Sequence, residues 1–567
     1  VLKMNCRFPQ LVLRTLTNRT TTRLICTSQF YFQNNSSNSQ EDNDYFNTSQ
    51  NYKVLSFLSA VVAAYAGYRY MNEKKLLYVQ ADSGHEQSLQ KVTAGEPRPD
   101  LPYYNMDDVT KHSTMETGIW VTYRLGVYDI TKFIAEHPGS DIINLAAGGS
   151  VEPFWNIYQQ HNNPKVWALL ETLRIGNLNP EDQADTSDLH NPWSTEPKRH
   201  PVLKAASQKP FNAEPPLKLL CDSFFTPNEM FYVRNHLPVP DINVEDYELE
   251  ISVEIKCDES VVKEKTLKLD EIKKLPKYSV NAAIMCGGNR RSEMTKVKDV
   301  RGLSWGAAAV GNATWSGARL CDVLMSMGIK ADEESHVQFI GLDADPTNKT
   351  YGASVPLAHV MNPRNDVLLA YEMNGKPLNR DHGFPLRVII PGVIGARNVK
   401  WLGSIVISPE ESDSHWQQND YKGFSPSTDW DSVDFTKAPA IQAMPVTSAI
   451  CIPQENDNIT PKNGFITVKG YAWSGGGQRI VRVDVTGDQG LTWTTAKLEQ
   501  GREPSSRHYG WTLWTAEVPV KAGVKELELW SKAVDSNYNV QPENFANIWN
   551  LRGVLSNAYH KVKINVK

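Results

Sequence analysis

From Leu178 to Pro201 the chain reads LNPEDQADTSDLHNPWSTEPKRHP, rich in Pro, Asp, Ser and Thr and without apolar periodicity. No helix or strand pattern bridges this run, so one core cannot close around the whole chain. At 567 residues the chain is long enough for about three or four units of ~150 residues. The run reads as a flexible linker over 179–201, between a small module (100–178) and a large region. About twenty flexible residues span roughly 25 Å by random-coil scaling, which lets the small module swing.

The small module begins with GIWVTYRLGVYDITKFI, strand-like around Val121 to Val127, followed by short helical patterns. Beyond the linker, 202–435 alternates short strands (YELEISVEI, HVQFIGL) with helical stretches such as GARLCDVLMSMG. From about residue 440 the pattern is all-β: GFITVKGYAWSGG, RIVRVDVTGDQGLTWTTAKL and KELELWSKAV alternate between glycine-rich turns. Their spacing predicts a β-sandwich over 436–567. The expected class is therefore α+β multidomain, with an immunoglobulin-like sandwich last. Neither a GxGxxG nor a GxxxxGK[ST] fingerprint occurs, so a Rossmann-type nucleotide domain is not expected.

Residues 1–80 read as targeting sequence. Arg7, Arg14, Arg19 and Arg23 lie among Thr, Ser and Asn, and no acidic residue precedes Glu41. That is the composition of a mitochondrial presequence. The apolar run VLSFLSAVVAAYAGY, Val54 to Tyr68, is shorter than the ~20 residues of a spanning helix. It reads either as a membrane anchor or as a sorting segment removed in the mitochondrial intermembrane space. The second reading leaves no stable membrane insertion after processing.

The net charge of −5 excludes nucleic-acid binding by bulk electrostatics. Any anion site must come from a local arginine cluster. The seven cysteines are scattered and none forms a CxxC pair, which argues against a disulfide scaffold, a four-cysteine zinc site or an iron–sulfur cluster. Most read as small buried hydrophobes.

Two constellations stand out. His137 lies in EHPGSD and His161 in FWNIYQQHNN, with LAAGG and Phe154, Trp155 and Tyr158 between them. Either histidine alone reads as surface or satisfied core. Together they offer two imidazoles around a flat cofactor, and iron ligated on both sides moves electrons rather than binding oxygen. The second is IMCGGNRRSE, Ile284 to Glu293. Cys286 reads either as a buried structural thiol or as a thiolate ligand beside Arg290 and Arg291, which would lower its pKa and attract anions. Further basic and aromatic groups sit in turn-rich contexts: FYVRNHLPVP, DADPTNKTYGASVPL, NRDHGFPLRVIIPGVIGARNVKWLG, HWQQNDYKGFSP and IWNLRGVLSNAYHKV.

Residues 100–178 resemble a cytochrome b5 domain, whose hallmark is HPGG followed by a second histidine, with Ser140 here in the fourth place. The resemblance implies His137 and His161 as axial ligands of one haem b. Over 100–567 the order of motifs is similar to that of the animal sulfite oxidase family: haem module, linker, molybdenum-cofactor domain, dimerisation domain. That resemblance implies oxidation of sulfite to sulfate at one molybdenum–molybdopterin per chain. Cys286 would be the single protein ligand to the metal. Arg234, Arg291, Trp305, Tyr421 and Arg552 would form the substrate pocket. Tyr232, Val233, Arg234, Asn235, His236, Asp343, His382, Arg387, Asn398, Val399 and Lys400 would hold the pterin and its phosphate. It further implies cytochrome c as electron acceptor, a homodimer through the last domain, and the mitochondrial intermembrane space. Two departures are visible: CGGNRR where relatives read CAGNRR, and Asn398 where a histidine is common. Two other readings stay open. A nitrate reductase uses the same module types but continues into flavin and nicotinamide domains. A non-enzymatic haem carrier would keep the C-terminal part as an interaction module.

Overall fold

The computed structural model describes residues 93–567 except 138–139, 159–160, 184–191, 256–260 and 346–347. The presequence-like region, the apolar run and the Pro138–Gly139 pair lie outside the described residues. Among those described, no helix is long and apolar enough to cross a membrane.

The alternation around Val121 to Val127 becomes a hairpin, β1 (Gly118–Tyr123) and β2 (Gly126–Asp129), turning at Arg124 with φ 50°. Ile119 and Val121 face inward by the period-two rule. Helices α1 (Glu152–Ile157) and α2 (Pro164–Thr172) cover this face, and β3 (Arg174–Leu178) closes the sheet against β2. The Asn163 side chain caps α2 by accepting from the amides of Lys165 and Val166, and Pro164 is preset for the first turn.

Most of the expected linker's second half is fixed to the central region. Trp193 is buried against Leu237, with Tyr158 and Trp416 beside it. Arg199 pairs with both Glu196 and Asp381, Glu196 accepts from the Val239 amide, and Arg380 donates to the Thr195 carbonyl. One tryptophan supplies the apolar burial, and an ion-pair chain satisfies the charges around it. Composition averaged over 179–201 hides both.

The central region holds two five-stranded sheets besides a small three-stranded one. It opens with the small sheet, in which Lys204–Gln208 pairs with β4 (Phe211–Glu214) and β4 with β5 (Val233–Arg234), α3 (Leu217–Leu220) lying between β4 and β5 in the chain. In the first five-stranded sheet, β6 (Glu248–Val253) alternates as its sequence predicts, burying Leu249, Ile251 and Val253. The second contains β7 (Lys277–Met285), β8 (Val310–Arg319), β9 (Leu368–Met373) and β10 (Arg387–Ile389), joined in that order. Between β7 and β8 lies a short helix, α4 (Arg291–Thr295).

The C-terminal region is the expected sandwich. One sheet runs β11 (Thr447–Ile452), β12 (Phe465–Trp473), β14 (Thr512–Pro519), β13 (Lys497–Gln500). The facing sheet contains Ile480–Thr486, Glu526–Asp535 and His560–Val566. The sandwich is not independent of the central region. Cys451, Tyr471, Trp473 and Trp511 share one buried cluster with Met285, Val393 and Ile394.

Candidate active site

Cys286 directly follows β7, and its amide donates to the Ala309 carbonyl at 2.9 Å. The chain then turns sharply, with the Asn289 amide returning to the Cys286 carbonyl at 3.0 Å. The left-handed residue of this turn is Arg290, at φ 66°. Gly287 and Gly288 serve close approach instead. A Cβ on Gly287 would lie 2.6 Å from Ile394 Cδ1, and one on Gly288 would lie 2.6 Å from the Arg291 guanidinium carbon.

The two adjacent arginines part company. Arg290 is fully buried, paired with Glu293 and donating to the carbonyls of Ser448, Ala558 and Tyr559, so it clamps the turn to the sandwich. Arg291 folds back over Gly288, held by the carbonyls of Gly553 and Leu303 at 3.0 Å each, and lines an open cavity of about 780 Å³. That cavity also receives Arg234, His236, Cys286, Tyr421 and Arg552. Arg552 pairs with Asp420 on its wall.

Behind Cys286 a narrower cleft runs inward. Its walls include Tyr232, Arg234, His236, Asp343, His382, Arg387, Asn398, Val399, Lys400 and Tyr421. The thiol therefore stands where cleft and cavity meet. Burial pushes Lys400 down to about 7 and Arg387 down to about 10, and raises the Asp343 carboxyl to about 7. Among the described residues, Arg387 Nε and Asp343 Oδ1 are buried with no hydrogen-bond partner. Buried cations and orphaned polar atoms in one cleft fit an anionic, hydrogen-bonding group such as a phosphate-bearing pterin.

The predicted residues divide by position. Asn235 does not line the cleft itself but bonds two residues that do, Asp381 and Lys400. Val233 is a buried strand residue opposite Ala213. The Asn398 amide is engaged by the backbone, accepting from Ile390 and donating to Ile394. Trp305 is fully buried behind the wall, in one cluster with Tyr232, Ile284 and Cys286. Sequence reasoning missed Asp381, which accepts from Asn235 and Arg199 and whose carbonyl receives Lys400 at 2.9 Å. It also missed Asp420. Both acids directly precede a selected residue, and that adjacency was the available signal.

Tyr421 is buried, its hydroxyl 3.0 Å from His236 Nε2. Burial pushes the phenol up to about 12 and drives His236 well below its ordinary value, so both are neutral at pH 7. Burial also opposes the Arg234 charge, but Tyr421, Cys286 and Asp420 outweigh it and the guanidinium stays firmly protonated. Among the described residues there is no group of three or more His, Cys, Asp or Glu suited to a metal.

In the first module the rings of His137 and His161 lie nearly parallel, 8° apart, with centroids separated by 6.0 Å. They flank an apolar cavity of about 510 Å³ lined by Val121, Ile130, Val151, Phe154 and Leu170, among others. Metal–imidazole bonds of about 2 Å fit an iron between the rings, and the apolar walls fit a porphyrin face. His161 Nδ1 donates to the Tyr158 carbonyl at 2.8 Å, which leaves Nε2 as the free ligating atom. The Tyr158 side chain reaches the wall of the cavity beside Cys286.

The comparisons match these parts. The Cytochrome b5-like Heme/Steroid binding domain matches residues 105–179. The Oxidoreductase molybdopterin binding domain matches 236–416, and the Mo-co oxidoreductase dimerisation domain matches 438–567. "Sulfite oxidase, mitochondrial" of Drosophila melanogaster is 60% identical over 511 residues, 88% of each chain. The Homo sapiens protein of that name is 52% identical over 466 residues, covering 82% of this chain and 84% of its own. The solved sulfane dehydrogenase SoxCD of Paracoccus pantotrophus superposes with a TM-score of 0.51 at 24% identity, over 66% of this chain and 90% of its own, a likeness of fold.

Proposed function

This chain belongs to the sulfite oxidase family, and we propose that it oxidises sulfite to sulfate beside Cys286 and passes the electrons through its haem module to cytochrome c. The observation that carries this reading is one buried thiol where a cation-rich cleft meets an arginine-lined cavity. The cofactors are a molybdenum-bearing pterin and a haem, one of each per chain. When bound, the molybdenum centre supplies oxygen to sulfite and takes up two electrons, which the haem carries off singly.

The chain's own residues prepare the site. Cys286 holds the metal as thiolate, and His137 and His161 hold the haem iron. Tyr232 to His236, Asp343, His382, Arg387 and Asn398 to Lys400 form the pterin cleft, with Val233 packed behind it and the side chains of Asn235 and Asn398 bracing its wall. Arg234, Arg291 and Arg552 attract and orient the sulfite dianion through charge-assisted hydrogen bonds. Tyr421 keeps its proton at neutral pH and donates it as a hydrogen bond to a substrate oxygen. Trp305 backs the pocket from behind the wall.

Tyr158 joins the haem module to the wall of the substrate cavity, which supports electron transfer with the module seated there. The basic face of cytochrome c suits a module whose sequence carries Glu136, Asp141 and Glu152 around the haem ligands. The sandwich pairs two copies of the chain into a homodimer. The protein is mitochondrial; the Val54 to Tyr68 run supports the intermembrane space as its compartment. The test is a molybdenum assay together with sulfite-dependent reduction of cytochrome c. Equimolar molybdenum and turnover lost in Cys286→Ser are expected. A molybdenum-loaded enzyme that leaves sulfite untouched would contradict the reading.

A further inference from the structure

Away from the active site, two thiols from distant parts of the chain meet across the boundary between the central region and the sandwich. Cys221 directly follows α3, and Cys451 lies in β11. Helix α3 packs on β11, Cys221 packs against the buried cluster that contains Cys451, and the Cys221 thiol donates to the Lys218 carbonyl at 3.8 Å. Both cysteines are free. Their surroundings differ sharply. Cys451 is fully buried in the shared core, whereas Cys221 is half-buried at its edge. Cys221 also lines a polar surface cleft of about 330 Å³ with Asp222, Lys469, Lys497 and Glu499.

We propose that Cys221 and Cys451 form a thiol-oxidation site, in which Cys221 is attacked from solvent and Cys451 resolves the adduct into a disulfide tying the central region to the sandwich. The oxidant class is a small-molecule disulfide such as glutathione disulfide. The Cys221 thiolate attacks one glutathione sulfur, the S–S bond breaks, and one glutathione thiolate leaves and takes up a proton. Cys451 then gives up its proton, attacks the Cys221 sulfur of the mixed disulfide, and releases the second glutathione. Two protein thiols are oxidised to one disulfide, and one glutathione disulfide is reduced to two thiols.

The division of labour follows from the environment. The neighbouring Cys451 thiol holds the Cys221 thiol below its ordinary range, and Lys469 helps, against burial and Asp222. Burial drives Cys451 well above that range, so it reacts only with a disulfide already formed beside it. A reactive, reachable cysteine next to a resolving one is the arrangement that turns oxidation into a reversible bond. Neither residue touches the cavities around Cys286 or the haem ligands, so the chemistry is separate from turnover.

The test treats the purified full-length holoenzyme with glutathione disulfide, alkylates the remaining thiols and maps peptides without reduction. The expected product is a Cys221–Cys451 linked peptide pair, about 2 Da lighter than the two reduced peptides, with a thermal midpoint above that of the reduced protein. In Cys451→Ser the glutathione adduct should instead persist on Cys221. A wild-type protein that keeps a stable Cys221 adduct, or one whose Cys221 and Cys451 both remain alkylatable, overturns the proposal. So does a Cys451→Ser variant that gains no adduct.

Discussion

Replacing Arg234 with glutamine removes a charge from the substrate cavity while keeping a side chain that can donate to the Asn212 amide oxygen and the Asn235 carbonyl. A charge-assisted hydrogen bond contributes about 1.5–3 kcal/mol, so KM for sulfite should rise roughly 10- to 150-fold, with kcat changing far less. Steady-state kinetics on the molybdenum-loaded variant decide it, and an unmoved KM would remove Arg234 from the pocket. The pterin cleft makes a prediction about pH. Below about pH 7 Lys400 is charged and the Asp343 carboxyl is neutral; above it the lysine is neutral and the carboxylate charged. The cleft thus loses its affinity for anions as pH rises. Cofactor-free protein should bind sulfate more weakly at about pH 8 than at about pH 6 by calorimetry, and the opposite trend would mean these two groups do not set the cleft's charge. At this scale the sequence was partly legible. Cys286 and its arginines carried a signal in residue type, but the roles of Arg290 and Arg291 were not separable. They differ only in which carbonyls and acids surround them, and those come from distant segments.

The turn after β7 shows what an element does that its residues do not. Gly288 is glycine because the Arg291 guanidinium lies over it, and the atom that a Cβ would meet is the end of a flexible side chain. Gly288→Ala should therefore displace Arg291 and raise KM, while the haem spectrum and the thermal midpoint stay close to those of the wild type. Gly317 in β8 is the contrast: a Cβ there would lie 1.9 Å from the Leu369 carbonyl oxygen of the paired strand. Gly317→Ala should lower soluble yield and thermal midpoint outright, and a stable Gly317→Ala would show that β8 and β9 can part without cost. β8 also explains a gap in sequence reading. It is buried along most of its length on both faces, so it lacks the alternation that made β6 and the sandwich strands legible. Its small residues and the register shift at Ser316 and Gly317 further weaken the pattern.

Across the whole molecule, composition averaged over 179–201 predicts a linker and hides the anchor within it. The buried Trp193 and the Arg199–Asp381 pair fix 193–199 beside the pterin cleft. Trp193→Ala should expose the bonds after Lys198 and Arg199 to trypsin and slow sulfite-driven haem reduction; an unchanged cleavage pattern would mean Trp193 is not the anchor. The order of the three regions was legible from the change of periodicity along the chain. Their shared core was not, because it is built from strands that each look self-sufficient. On the proposed function, sulfite oxidised at Cys286 reduces the haem held by His137 and His161 in the same chain. Anaerobic addition of sulfite to the purified holoenzyme, followed by visible spectroscopy, tests it most directly. Reduced b-type haem is expected to appear rapidly in the wild type and not at all in Cys286→Ser, whose haem dithionite still reduces. Sulfite-driven haem reduction in Cys286→Ser, or its absence in a wild type carrying both cofactors, would contradict it.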